Sequence, residues 1–180
     1  EDRENEADLI CAGENVTGEM INLMAVYGKG LICTPIGESV AERLSLEPMV
    51  ATNTDNHATA FTVSIDHVNT STGISAFERA ETIRSLCDPA TKPSDLRRPG
   101  HVFPLVAKND GVLVRDGHTE ATIDLMKLAG LEEVGICCEI MADDGHMLRG
   151  EGLIELAEKL DIKVTSVAEI KKYKLNKLRK

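Results

Sequence analysis

Residues 134–141, VGICCEIM, put an apolar side chain at almost every position. Successive residues of a strand point to opposite faces, so an uninterrupted apolar octet is a strand with both faces covered. That places it in the middle of a sheet with packing layers above and below, and it excludes a sheet with one face in water. Glu139 breaks the octet. A carboxylate there costs several kcal/mol unless it is paired, metal-bound or protonated. Two readings fit it: a structural ion pair, or a general acid or base with a shifted pKa, and the second is preferred.

The remaining pattern supplies the other elements of such a layered domain. Residues 59–67, TAFTVSIDH, alternate, with Phe61, Val63 and Ile65 on one face and Thr62, Ser64 and Asp66 on the other. Residues 9–12, 30–34, 102–106, 111–114 and 163–165 read as further strands. Thr17 caps a helix whose Met20, Leu23, Met24 and Tyr27 share a face and which Gly28 ends. A short helix follows over 38–44. Ser75 and Glu78 form a capping box at the start of a helix over 75–86. Helices are also predicted from 118 or 119 to 129 with Gly130 as stop, over 151–160 and over 167–173. Residues 88–101, with three prolines, read as a long irregular connection. Strands and helices mix without strict alternation or repeat, which predicts one α+β domain with a mixed sheet and helices on both faces.

Composition narrows the function classes. With three Phe, two Tyr and no Trp, the core of this 180-residue chain is aliphatic, with Met and Cys as fillers. The five cysteines show no C-x-x-C spacing, and adjacent Cys137 and Cys138 point to opposite strand faces. Reduced, buried thiols in a cytoplasmic protein are the expectation. The net charge is −10, yet the last ten residues, KKYKLNKLRK, carry six cations and no acid, so the chain without them stands at −16. A domain that acidic is not expected to bind nucleic acid, and no stretch is apolar and long enough to span a membrane. The basic stretch reads as a solvated helix end or a linker. Without an initiator Met, the chain reads as a fragment or a processed form.

Four features carry chemistry. In RDGHTEAT, residues 115–122, a glycine joins an arginine to the start of an amphipathic helix. The first helical turn offers free N–H groups and a positive dipole end, Arg115 a fork for phosphate oxygens, and Thr119 a hydroxyl. His118 stands at the helix entrance. An ordinary helix start with Thr119 as cap fits equally well. His101, after Pro99-Gly100, is delivered at the mouth of a strand beside Arg97 and Arg98, which predicts a low-pKa imidazole near an anion. Glu139 is the third feature. The fourth is the opening EDRENEAD, five carboxylates and an arginine, which by charge alone is a solvated tail. Loose carboxylates, an imidazole and a phosphate cradle suit a sugar-phosphate enzyme that uses a hard divalent cation.

Several stretches together resemble 3,4-dihydroxy-2-butanone 4-phosphate synthase of riboflavin biosynthesis. They are EDRENEADLI, GLICTPI, FTVSID, TGISAFERAETI, SDLRRPGHVFPL, GVLVRDGHTEATIDLMKLAGL, CCEIMADDG and AEKLDIKVTSVAEI, in the family's order along nearly the whole chain. The resemblance implies a three-layer α-β-α fold, a homodimer, and conversion of D-ribulose 5-phosphate to L-3,4-dihydroxy-2-butanone 4-phosphate and formate. It implies Mg²⁺ or Mn²⁺, two ions per site, held by Glu4 and His118. The implied substrate contacts are Arg3, Glu4, Asp8, Arg115, Asp116, Gly117, His118 and Thr119, and the implied catalytic residues are His101 and Glu139. By analogy, Glu6 and the loop TNTDNHAT lie close by.

The family normally begins with a helix and a strand ahead of the acidic loop; both are missing here, which implies a less stable and less active domain. The expected domain covers 1–170, and 171–180 resembles the start of a linker toward a fused GTP cyclohydrolase II. Two other readings fit the residues: a non-catalytic sugar-phosphate-binding module, and another metal-dependent sugar-phosphate enzyme such as an aldolase or isomerase.

Overall fold

The computed structural model describes residues 6–178. Among them, five strands form one mixed sheet. They are β1 (Asp8–Ala12), β2 (Cys33–Ile36), β3 (Ile65–His67), β4 (Leu96–Val106) and β5 (Gly135–Glu139), in spatial order β1-β5-β2-β4-β3. The apolar octet thus supplies an interior strand, as its two-faced composition requires. β5 runs antiparallel to β1, with Asp8 opposite Glu139 and Ala12 opposite Gly135, and meets β2 at Cys33 opposite Cys137. β2 and β4 are parallel, Cys33 beside Phe103 and Ile36 beside Val106.

Six helices cover the sheet: α1 (Gly18–Leu23), α2 (Glu38–Arg43), α3 (Ala76–Cys87), α4 (His118–Ala129), α5 (Glu151–Leu160) and α6 (Val167–Leu178). On one face, Leu9, Ile36, Ile136 and Cys138 pack with Ile21 of α1 and Ile83 and Leu86 of α3 in the main core. On the other face lies α4, whose Thr122 methyl occupies the space that a Cβ on Gly135 would need. α6 packs outside α4 through Ile170, Val112 and Ala121. Three layers result, α-β-α, in a single domain. The helix caps follow the sequence: Thr17 accepts from Met20 N–H at 3.3 Å, and Ser75 from Glu78 N–H at 3.2 Å. α1 passes into a π-helical turn, Met24–Gly28, before the chain reverses.

Several expectations are corrected, each for a traceable reason. The strand expected from residue 30 begins at Cys33, because Gly30 and Leu31 direct their N–H groups to the Glu139 carbonyl and carboxylate. The alternating 59–67 segment is a strand only over β3; upstream its amides divide between partners, Thr62 donating to Pro104 and Val63 to Glu47. Residues 111–114 form a 3₁₀ turn instead of a strand, since Val112 N–H is taken by Asp124 Oδ2 at 2.9 Å. Residues 163–165 pair with no strand among the described residues, and Val164 is exposed. The proline-rich connection is regular in its second half, where a 3₁₀ turn at Pro93–Asp95 leads into β4. α6 continues past residue 173 to Leu178, so the basic stretch is helical.

Candidate active site

β1 and β5 carry Asp8 and Glu139 at directly opposed positions, so both side chains leave the same face of the sheet. Along that face lie Ile10, Cys137, Cys33 and Phe103, an apolar floor. α4 brings His118 to it: the imidazole Nδ1 stands 3.2 Å from Asp8 Oδ1. That oxygen is buried and meets no aligned hydrogen-bond donor among the described residues. Burial first, then the charges of Glu139 and Glu6, push the Asp8 carboxyl up to about 6, against the opposing pull of His118 and the Cys137 thiol. Glu139 itself is half-buried, and its Oε2 accepts from Leu31 N–H at 2.9 Å. Among the described residues, the hydrogen-bond partner of the odd glutamate is therefore a backbone amide of the strand approach.

The chain fixes His118 by starting α4 at that residue. Gly117 is the N-cap, and Thr119, the alternative cap, is buried inside the first turn. Upstream, the Arg115 guanidinium is engaged inside the protein. Its Nη1 lies 2.5 Å from Glu120 Oε2, and Nη2 donates to the His57 carbonyl at 3.1 Å and to Thr59 Oγ1 at 3.3 Å. The arginine thus ties the 52–59 loop to the entrance of α4, placing TNTDNHAT beside the predicted substrate loop. Asp116 is exposed and paired with Lys171 at 2.8 Å.

His101 occupies a different setting from the one expected. Between the pair Asp66–Arg97 and the pair Ile65–Val102 the β3–β4 register shifts, so residues 98–101 bulge out of the ladder and present His101. Its Nδ1 lies 2.8 Å from Asp66 Oδ2, and its backbone N–H reaches Asp66 Oδ1 at 2.9 Å. The neighbouring arginines direct their guanidinium groups to backbone carbonyls. Arg97 donates to the Thr70 and Val68 carbonyls, and Arg98 to those of Pro93, Leu96 and Leu44, so both guanidinium groups serve as braces for the loops. The contact partner of the imidazole is a buried carboxylate.

The structure therefore joins Asp8, His118 and Glu139 in one cluster, joins Arg115 through Thr119 in one loop, and gives His101 a pair with Asp66. Arg3 and Glu4 lie outside the described residues. A cavity of about 820 Å³ is lined by Glu6, Asp8 and His118, with Lys163 as a further charged residue and Leu23, Leu153 and Ile170 among its apolar walls. Sequence reasoning passed over Asp66, Glu120 and Asp124. Asp66 was legible only as one polar position in an alternating run. Glu120 and Asp124 stand one turn apart on α4, a spacing that puts two acids on one helix face, and both are about 1% exposed.

A carboxylate oxygen buried without an aligned donor beside a half-buried imidazole is a donor set suited to a hard divalent cation. Asp8 and His118 supply one carboxylate and one imidazole toward such an ion, and no group of three or more His, Cys, Asp or Glu side chains able to hold a metal is assembled among the described residues. Burial also raises the Cys33 and Cys137 thiols well above their ordinary range, so the floor of the cluster is made of protonated packing groups, not thiolates.

A three-layer α-β-α domain with an acid–imidazole cluster at the head of a helix is what comparison with known proteins then specifies. Residues 1–173 match the family model for 3,4-dihydroxy-2-butanone 4-phosphate synthase. The chain belongs to that family. It is 57% identical over 174 residues to the riboflavin biosynthesis protein RibBA of Bacillus mycoides (strain KBAB4) and, at the same identity, to that of Bacillus cereus (strain B4264). Each alignment covers 97% of this chain and 44% of the relative, so the chain spans less than half the length of these curated relatives. A crystal structure of 3,4-dihydroxy-2-butanone 4-phosphate synthase in complex with two magnesium ions is 42% identical, with a TM-score of 0.88 over 93% of this chain and 84% of that one. RibBX, a two-domain synthase from A. baumannii, is 41% identical, with a TM-score of 0.90 over 94% of this chain and 50% of that one.

Proposed function

We propose that the protein is a lyase that converts D-ribulose 5-phosphate to L-3,4-dihydroxy-2-butanone 4-phosphate and formate, using two Mg²⁺ (or Mn²⁺) ions. The observation that carries the reading is the approach of His118 to the buried Asp8 across from Glu139, in a chain of this family. Glu4 and His118 are the residues assigned to hold the cations. When bound, divalent cations neutralise charge that develops on substrate oxygens.

The chain's own residues divide the remaining work. The loop of Arg115, Asp116, Gly117, His118 and Thr119 receives the sugar phosphate, with the α4 N-terminus favouring its negative charge. A phosphate there competes with Glu120 and the His57 carbonyl for the Arg115 fork. Arg3 and Asp8 are further residues assigned to contact the substrate. Asp66 holds His101 by Nδ1 and by the backbone N–H, which leaves Nε2 as the atom that exchanges a proton with the ketose. Glu139, anchored through Oε2, exchanges protons through Oε1. Enolisation, loss of the C1 hydroxyl as water, a skeletal shift, addition of water to the resulting C4 carbonyl and release of C4 as formate follow. The water lost is thus regained, and the enolisation, dehydration and hydration steps draw on these proton transfers.

In this reading the synthase domain extends past the expected boundary at 170 to take in α6, whose Lys171 and Lys174 pair with Asp116 and Asp124, and the parent protein also carries GTP cyclohydrolase II. The protein works as a cytoplasmic homodimer. No helix among the described residues is long and apolar enough to cross a membrane, and no described cysteine is in a disulfide. The test is NMR of D-ribulose 5-phosphate incubated with the intact protein and Mg²⁺. Formate is expected, and its loss in His118→Ala. Binding without turnover would identify a non-catalytic module, and a product other than formate would identify an aldolase or isomerase.

A further inference from the structure

We infer that Lys174, on the last helix, is a positioning residue for the substrate loop 115–119; the inference rests on the function proposed above. Lys174 Nζ lies 2.5 Å from Asp124 Oδ1 and donates to the Asp110 carbonyl at 3.1 Å. Asp124 is 1% exposed, and its second oxygen accepts from Val112 N–H at 2.9 Å. One lysine therefore holds the start of the turn at Gly111–Leu113 directly through Asp110 and its middle through Asp124 at Val112. Gly111 has φ +62°, and a Cβ on it would overlap the Asp124 carboxylate, so the turn is built around that acid.

The same turn is gripped from its apolar side. Val112 is fully buried with Ala121 of α4 and Ile170 of α6. Two residues beyond the turn stands Arg115, and three residues further is His118. One helical turn before Lys174, Lys171 pairs with Asp116 inside the loop itself. α6 thus contacts the loop and the turn that precedes it at three points, and α4, which His118 begins, on its buried face.

Removing Lys174 leaves a buried carboxylate without this cation, and the local relief is for Asp124 to turn to water and release Val112. A loosened loop must be ordered again when substrate binds, which weakens binding more than it slows chemistry. Lys171 is more exposed and its partner half-open, so it contributes less.

The experiment compares Lys174→Met, Lys174→Arg and Asp124→Asn in the intact protein by hydrogen exchange and steady-state kinetics. Lys174→Met is expected to raise exchange several-fold at residues 111–117 while β2 and β5 keep their protection. KM for D-ribulose 5-phosphate is expected to rise about tenfold, with kcat falling about threefold or less. Lys174→Arg should restore both, and Asp124→Asn, which keeps an acceptor for Val112 but not the charge, should resemble Lys174→Met. Unchanged exchange at 111–117, or a uniform loss of protection across β2 and β5, would overturn the inference. If the wild type makes no formate, the functional reading fails, and exchange alone still decides the clamp.

Discussion

Asp8 shows how one residue joins stability to the site. Its carboxyl titrates near 6 instead of the usual 3.8 because it is buried near Glu139 and Glu6, with His118 and Cys137 pulling the other way. The native state therefore binds this proton more tightly than the unfolded chain does. Between about pH 4 and pH 6 the folded form holds more protons, so this group's contribution to stability falls as pH rises through that window. The difference amounts to about 3 kcal/mol of native-state cost at neutral pH. Denaturation of the metal-free protein across that range should show wild type losing stability relative to Asp8→Asn as pH rises. Parallel curves would contradict it. If the proposed function holds, a divalent cation held nearby by Glu4 and His118 would favour this carboxylate and offset part of that cost.

At the scale of elements, the β3–β4 register shift matters most, because it delivers His101 and brings Asp66 to meet it. Gly100 makes that close approach: a Cβ there would lie 2.1 Å from the Ile65 carbonyl carbon and 2.3 Å from Asp66 N. The obstacle is backbone, which cannot swing aside. Gly100→Ala should thus destabilise the fold by about 1–3 kcal/mol and separate His101 from Asp66. Thermal denaturation and the rate of formate release check both; a variant matching wild type in each would contradict the packing argument. Sequence could show Pro99-Gly100 as punctuation before a strand, but not the bulge, which depends on β3 lying alongside. The segment 111–114 was misread for a similar reason. Its apolar run is strand-like, and only a distant Asp124 converts it into a turn. Caps at Thr17 and Ser75, by contrast, depend on residues three positions away, so they were legible.

For the whole molecule, the two-faced octet already implied three layers, since an interior apolar strand must be covered on both sides. For the candidate site, the helix entrance and the odd carboxylate were legible in sequence, and the wiring less so. GHTE pointed to a helix entrance and Glu139 to a misplaced charge, but the engagement of Arg115 with Glu120 and the bracing by Arg97 and Arg98 exist only once the chain is folded. Arginines near a histidine look like a cationic site in sequence; here they satisfy carbonyls, and a carboxylate meets the imidazole. The central claim is that this architecture extrudes one carbon of a pentulose phosphate with help from a divalent cation. The most direct measurement uses D-ribulose 5-phosphate carrying ¹³C at C4, incubated with the intact protein and Mg²⁺ and followed by NMR. The account predicts labelled formate, an unlabelled four-carbon phosphate and loss of both products in EDTA. Label retained in the sugar phosphate, or formate that persists in chelator, would contradict it.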